Sequence, residues 1–159
     1  MTTTTGIGWD SHRLVAGRPL ILGGVAIAHE LGLEGHSDAD ALIHAVIDAL
    51  LGAAAIGDIG QHFPDTDERY RDTDSMLLLR TVVATLAERG LAVTHVDATV
   101  VMERPRLAPY RDAIRAALAD GLGVVPEHVN VKASTGEGMG FVGRGEGIAA
   151  LAVATLHGG

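Results

Sequence analysis

Ser37-Asp38-Ala39-Asp40-Ala41-Leu42-Ile43-His44-Ala45-Val46-Ile47-Asp48-Ala49-Leu50-Leu51-Gly52 contains the best-signalled helix of the chain. Ser37 to Asp40 offer a hydroxyl cap and acidic first-turn residues, a variant of the capping box. Leu42, Ile43, Val46, Ile47 and Leu50 recur at helical spacing, and Gly52 is a natural stop. Asp40, His44 and Asp48 lie four apart and form a polar stripe on a different face. His44 therefore points away from the main apolar face, as a ligand must.

Upstream of this helix, Gly6 to Val15 reads as a strand. Leu20-Ile21-Leu22, Gly23-Gly24 and Val25-Ala26-Ile27 read as a hairpin with a glycine turn, and Gly32 to Gly35 as loop. Downstream, Gly57 to Asp74 is polar and irregular, with Asp58, Asp65, Asp67, Asp72 and Asp74. A second helix is expected over Ser75 to Arg89, ended by Gly90, and a third over Tyr110 to Ala119, closed by Gly121. Thr94 to Met102 alternates as a strand, and Val129 to Ala133 makes a short one. Ile148 to Leu156 is too rich in alanine to assign by period; strand and helix both fit. Strands interleaved with helices predict an α/β sandwich of sheet and helices, with no internal repeat.

The 159 residues suffice for one domain over 1–159, and no compositional break divides them. With two Phe, two Tyr and one Trp, the core must be packed from Ala, Val, Leu and Ile. A net charge of −8 argues against holding a nucleic-acid backbone by bulk electrostatics, and so few aromatics leave little for stacking on bases. The absence of cysteine excludes disulfides and thiolate metal sites. Met1 to Thr5 lacks the features of a signal peptide, and no apolar run approaches the length of a membrane span. The expectation is a soluble, cytoplasmic protein without membrane contact.

The residues that carry chemistry centre on Asp10, His12 and His44. Asp10 and His12 are two apart, so on a strand they share one face, and His44 has to reach them from the helix. One carboxylate and two imidazoles are three of the four ligands of a tetrahedral zinc site, which leaves a corner open as catalytic zinc requires. The bland reading is that the two histidines are unrelated polar residues. His36-Ser37 precedes the helix start, where free N–H groups and the dipole attract anions; Ser37 as a plain cap beside an exposed His36 fits equally well.

From Gly136 to Gly147 every second or third residue is glycine. Gly138 to Gly143 nominally match a dinucleotide fingerprint, but too few residues follow for the ribose-binding carboxylate and the next strand. Lys132, Ser134, Thr135, Glu137 and Arg144 punctuate this stretch with cations, hydroxyls and a carboxylate, which is what a diphosphate site contains. Glu137 is suited to a magnesium-type ion between phosphate oxygens. Asp58 and Phe63-Pro64-Asp65-Thr66-Asp67 are either a solvated acidic loop or a grip on hydroxyls. Met102 to Ala108, stiffened by Pro105, is either an ordinary loop or a source of backbone groups for a base edge. These residues equally suit a zinc-dependent phosphohydrolase, or a structural-zinc protein recruiting His36 or Asp40 as a fourth ligand.

Taken together the segments resemble one family. Gly6-Ile7-Gly8-Trp9-Asp10-Ser11-His12-Arg13, Gly35 to Asp40 with His44, and Asp48 to Ala54 carry the resemblance, as do Gly57 to Gly60, Phe63 to Asp67 and Gly140 to Gly147. They are similar, in this order, to 2-C-methyl-D-erythritol 2,4-cyclodiphosphate synthase of the non-mevalonate isoprenoid pathway. The resemblance implies a homotrimer with active sites between subunits, each subunit a four-stranded mixed sheet with helices on one face, similar to bacterial chorismate mutase. It also implies that the C-terminal segment is a strand. The implied reaction converts 4-diphosphocytidyl-2-C-methyl-D-erythritol 2-phosphate into the cyclic diphosphate and CMP.

By the same resemblance, Asp10, His12 and His44 match zinc ligands, and Glu137 matches the ligand of a second ion, magnesium or manganese. His36 and Thr135 match the residues that stabilise the transition state. Ser37 accompanies His36 at the phosphate, and Ser11 is a further substrate-binding position. Asp58-Ile59-Gly60 and Phe63-Pro64-Asp65-Thr66-Asp67 match the grip on methylerythritol. Met102-Glu103-Arg104-Pro105-Arg106-Leu107-Ala108 with Ala133 match the cytidine pocket, and Ser134, Gly136, Phe141 and Arg144 further substrate contacts. Lys132, Arg106 and Arg144 are expected to help offset the anionic substrate. Gly136 departs from the threonine of some relatives, and Met139 beside it sits at a variable position.

Overall fold

Gly6 and Gly8 decide how the layers meet. In the computed structural model, which describes residues 1–159, both lie on strand β1 (Thr2–Ala16) directly beneath helix α1 (Ala41–Ala54). A Cβ at Gly6 would lie 2.1 Å from the Ala49 carbonyl oxygen, and one at Gly8 1.8 Å from that of Ala45. The helix thus rests on the strand backbone to backbone. It buries ten of its fourteen residues.

The remaining elements follow as β2 (Leu20–Leu22), β3 (Val25–Ile27), β4 (Leu31–Leu33), α2 (Ile59–His62), α3 (Ser75–Glu88), β5 (Leu91–Val101), α4 (Arg111–Leu122), β6 (Val129–Ser134), α5 (Gly140–Gly143) and β7 (Gly147–Gly158). The main sheet runs β4-β1-β7-β5-β6, with β5 and β6 parallel and the other pairs antiparallel. A mixed sheet results because α4 serves as the crossover that a parallel pair needs. α1 lies over β1 and β7, while α3 and α4 complete the helical layer over β5 and β6.

Along β7, Ile148, Ala150, Ala152, Ala154 and Leu156 are buried, whereas Val153 on the alternate set is 39% exposed. This period of two identifies the Ala-rich C-terminal stretch as strand. Its buried alanines are small enough to sit beneath a helix that approaches so closely. The opposite face of the sheet carries no helix, and there Ile7, 71% exposed, pairs with Val153, and Trp9, 52% exposed, pairs with Leu151.

Several expectations are corrected. The sheet has five strands rather than four, because Leu31-Gly32-Leu33 pairs with the end of β1 through Leu14↔Leu33 and Ala16↔Leu31 instead of forming loop. α1 begins at Ala41, not near Ser37, since Asp40 is the cap and its carboxylate accepts from Ile43 N–H. Gly52 does not stop that helix, which runs on to Ala54. α4 closes at Gly123, held at φ +72°, because Gly121 is buried within the helix, where a Cβ would strike Met76. Within 57–74 the chain is partly ordered: α2 and a 3-10 turn over Glu68–Tyr70 are capped by Asp58 and Asp67. No helix is long and apolar enough to cross a membrane.

Candidate metal and phosphate site

Strand alternation carries Gly6, Gly8, Asp10 and His12 onto the helix side of β1. The glycines bring α1 down, and His44, one residue before Ala45, reaches the same place from above. Asp10 Oδ2 lies 2.7 Å from His12 Nε2 and 3.1 Å from His44 Nδ1, and the two ring nitrogens are 3.3 Å apart. Metal bonds of about 2.0–2.2 Å in a tetrahedron put neighbouring donor atoms roughly 3.3 Å apart, so the set fits a divalent ion after a small opening. These three are the one cluster of His, Asp and Glu in the chain with ligand atoms all within 4.8 Å of one another.

The outer ring nitrogens are engaged elsewhere. His12 Nδ1 donates to the Glu34 carbonyl at 2.8 Å, which turns the Nε2 lone pair towards Asp10. His44 Nε2 faces the hydroxyls of Ser75 at 2.9 Å and Ser37 at 3.2 Å. A carboxylate and two ring lone pairs converging on one point repel each other unless a cation lies among them. Burial opposes charge on His12, but the hydrogen bond and charge of Asp10 prevail and raise its pKa. Burial likewise acts to raise Asp10, but the neighbouring imidazoles, His12 first through its hydrogen bond, outweigh it and hold the carboxyl below its usual range.

Neither residue left open as a fourth ligand is free. His36 Nε2 donates to the Asp67 carbonyl at 2.9 Å. Asp40, fully buried, accepts from the backbone N–H groups of Gly23, Gly24 and Ile43 at 2.9, 2.7 and 3.0 Å. Burial, partly offset by these donors, pushes its carboxyl up to about 6. Asp40 joins the hairpin turn to α1, and it also overturns the helix-dipole reading of His36-Ser37, since the anion at that helix terminus is Asp40 itself. Ser37 instead presents a hydroxyl, whose oxygen accepts from Ala39 N–H at 3.2 Å. Arg18 fixes this loop by donating to the carbonyls of Gly35 and Ser37 at 3.2 and 2.7 Å.

A cavity of about 420 Å³ opens over the cluster, lined by His12, His36, Ser37 and His44 and by Ile59, Gly60, Phe63, Pro64 and Asp65. Asp48, one turn beyond His44, accepts from Ile59 N–H at 2.7 Å and so ties the 58–60 segment to the same helix. Burial raises the Asp48 carboxyl. Asp58 and Asp67 spend their carboxylates on capping Gln61 and Arg69 N–H. Tyr70, Leu78 and Ser75 also border or support this site, and no sequence signal marked them beyond the start of a helix at Ser75. Phe141, with Ser11, His12 and Glu146, borders an adjoining cavity of about 210 Å³.

The structure gathers the remaining candidates elsewhere. Met102, Glu103 and Pro105 to Ala108 join Ala133, Ser134 and Thr135 around a separate cavity of about 240 Å³ at the ends of β5 and β6. Register puts Asp10, Ala150, Val100 and Ala133 in one row across four strands. Three strand spacings separate the ends of that row by about 14 Å. Glu137, exposed and held at φ +55°, joins no ligand cluster; its N–H donates to Thr135 Oγ1 at 3.1 Å. Gly136 N–H donates to Glu103, linking the glycine-rich loop to the second cavity. Lys132 is corrected: it lies on the uncovered sheet face, paired with Asp97 at 2.7 Å. Arg144 pairs with Glu146 at 3.0 Å.

A mixed α/β fold with a two-histidine, one-aspartate ligand cluster at the edge of an open cavity is the class this geometry defines. A family model described as the YgbB family matches residues 3–157. The 2-C-methyl-D-erythritol 2,4-cyclodiphosphate synthase of Laribacter hongkongensis is 58% identical over 157 residues, covering 99% of this chain and 97% of that protein. That of Alkaliphilus metalliredigens is 57% identical over 151 residues, 95% of each. Among solved structures, a 2C-methyl-D-erythritol-2,4-cyclodiphosphate synthase in a CDP-bound form superposes with a TM-score of 0.89 at 37% identity, covering 96% of this chain and 99% of that one. The chain belongs to the YgbB family, that of the 2-C-methyl-D-erythritol 2,4-cyclodiphosphate synthases.

Proposed function

We infer that the chain converts 4-diphosphocytidyl-2-C-methyl-D-erythritol 2-phosphate into 2-C-methyl-D-erythritol 2,4-cyclodiphosphate and CMP, in the non-mevalonate route to isoprenoid precursors. The observation that carries this is the convergence of Asp10, His12 and His44, with both histidines lining a cavity whose wall also holds His36 and Ser37. The substrate's 2-phosphate oxygen forms a bond to the β-phosphorus, the bond from that phosphorus to the bridging oxygen breaks, and CMP leaves with the electron pair. The attacking oxygen is already largely ionised near neutral pH, so alignment and charge neutralisation are what the protein contributes.

Asp10, His12 and His44 would hold zinc, which supplies positive charge to phosphoryl oxygens when bound. Glu137 would hold a magnesium or manganese ion at the α and β phosphates. Ser37, its oxygen already accepting from Ala39, has its own proton to give to a phosphate oxygen. His36 and Thr135 stabilise charge developing in the transition state. Asp58 to Gly60 and Phe63 to Asp67 hold the methylerythritol. Met102 to Ala108 with Ala133 hold cytidine, with Ser134, Gly136, Phe141 and Arg144 as further contacts. The CDP-bound relative supports a pocket for that nucleotide in this fold.

One chain sets the metal cluster and the nucleotide cavity about 14 Å apart in different cavities. It also leaves Ile7, Trp9 and Val153 exposed on the uncovered sheet face. Both observations support a chorismate mutase-like homotrimer, with 1–159 as one catalytic domain whose active sites lie between subunits. A cysteine-free, acidic chain suits the cytoplasm. The test is incubation of the purified protein with substrate, zinc and magnesium, followed by phosphorus NMR. Cyclic diphosphate and CMP in equal amounts are expected; a linear phosphate product formed by water would refute the proposal.

A further inference from the structure

We propose that Asp38 and Ser75 are positioning residues for the metal site. They form a hydrogen-bond relay that fixes the His44 ring in the tautomer presenting Nδ1 to the ion. The proposal rests on the reading of Asp10, His12 and His44 as ligands, and it concerns how one of them is held.

The direction of each hydrogen bond follows from what the partners can donate. Asp38, as a carboxylate, only accepts. It takes the Ser75 hydroxyl on Oδ1 and the Ser75 backbone N–H on Oδ2 at 2.9 Å, so the serine is gripped at two points. With its single proton given to Asp38, the Ser75 hydroxyl has only lone pairs left for His44 Nε2, 2.9 Å away. Nε2 must therefore carry the proton, and Nδ1 keeps the lone pair that faces Asp10 Oδ2 at 3.1 Å. Without the relay a serine hydroxyl can turn and donate to Nε2, which places the proton on Nδ1 and blocks the metal position.

The relay is built into the fold. Ser75 is fully buried at the first turn of α3, where the positive end of the helix favours a nearby carboxylate. Asp38 is anchored in turn, its N–H donating to the Thr73 carbonyl at 3.1 Å and its Oδ1 accepting from Asp40 N–H at 3.1 Å. Ser37 Oγ, at 3.2 Å, is the longer partner of the same ring nitrogen and has no carboxylate behind it in the hydrogen-bond network. Outer partners of this kind orient a ligating histidine, and their loss typically weakens metal binding about 10–100-fold.

The test uses the full chain, with zinc affinity measured by competition against a chromophoric chelator and the His44 ring followed by nitrogen-15 NMR in metal-free protein at pH 8. The parent should bind one zinc per chain and show the Nε2–H form of His44. Ser75→Ala should weaken zinc by about 10–100-fold and mix the two tautomers, while Ser75→Thr, which keeps the hydroxyl, should recover most of the affinity. Asp38→Asn, which keeps the shape but weakens the acceptor, should fall between the two and guards against a serine variant that fails to fold. Parental affinity in both Ser75→Ala and Asp38→Asn overturns the inference and leaves the metal reading standing. Weakened affinity with an unchanged tautomer also overturns it, because that is loosening rather than orientation. A parent that binds no zinc removes the metal reading and this inference together.

Discussion

Replacing Gly8 by alanine tests whether the helix-on-strand contact and the metal cluster are one construction. The added Cβ would sit 1.8 Å from the Ala45 carbonyl oxygen and 2.8 Å from its carbon. Ordinary carbon-to-carbonyl contact begins near 3.3 Å, so α1 has to lift by roughly 1.5 Å. His44 precedes Ala45 and Asp10 lies two residues beyond Gly8, so the same movement opens the ligand pair. A separation of 3.1 Å between His44 Nδ1 and Asp10 Oδ2 grows to as much as about 4.6 Å, past the roughly 3.3 Å that a shared tetrahedral ion spans. Overfilling a packed interior costs about 1–3 kcal/mol, and main chain on both sides puts this case near the top of that range. Urea unfolding of the metal-free protein should register about 3 kcal/mol lost, and zinc titration should show weakened binding. Gly52→Ala, in the same helix, is the control: its Cβ would clear Gly6 by 3.8 Å. It should stabilise by about 0.5–1 kcal/mol as glycine leaves a helix interior. A Gly8→Ala protein within 1 kcal/mol of the parent and with parental zinc affinity would show slack between α1 and β1, and would refute the reasoning.

His44→Ala removes one of three candidate ligands from a half-buried site, and should abolish stoichiometric zinc and turnover while leaving the sedimentation coefficient that of the parent. Glu137→Gln should shift the magnesium titration of activity to higher concentration without changing zinc content by elemental analysis. The His12 and Asp10 shifts predict opposite pH dependences with and without metal. In metal-free protein the raised His12 contributes stability that is complete below about pH 6.5 and lost as pH rises through its folded value, while the lowered Asp10 contributes above about pH 3.8 and fails as pH falls through its folded value. Thermal unfolding of that form should therefore lose the ion-pair contribution on going from pH 6 to pH 9. Zinc must displace the His12 proton, so its affinity should fall about tenfold per unit below the raised pKa; a flat profile from pH 5 to 8 would refute it.

Long-period signals were legible in the sequence, and short or alanine-masked ones were not. Leu42 to Leu50 declared their helix because buried positions recur at its spacing, and Asp10 with His12 declared a shared face because strand alternation is strict. β4 escaped because it has three residues and a glycine at its centre. Gly32 is required there, since a Cβ would collide with the Arg18 carbonyl oxygen at 2.1 Å, a contact that sequence does not express. The stretch 57–74 read as irregular because caps for single turns leave no periodicity. Of the site, the metal set was visible as residue types, and its convergence required the fold. Asp38, Asp48 and Ser75 were marked only as helix-end or helix-face residues, and Arg18 not at all, because all four act through partners up to 37 residues away. Lys132 carried the right charge for phosphate, but its place in the strand turns it to the opposite face of the sheet.

The nearly complete enclosure of α1 has a consequence for how the site tolerates motion. Ala45, Val46, Ile47, Ala49, Leu50 and Leu51 are all buried, so deuterium should enter their amides last, on unfolding of the whole molecule. His44 is thereby mounted on the slowest-exchanging element, while Glu137 rides a loop punctuated by glycines at positive φ. The position of the imidazole is therefore set by the core of the molecule, whereas that of the Glu137 carboxylate is set by a surface loop.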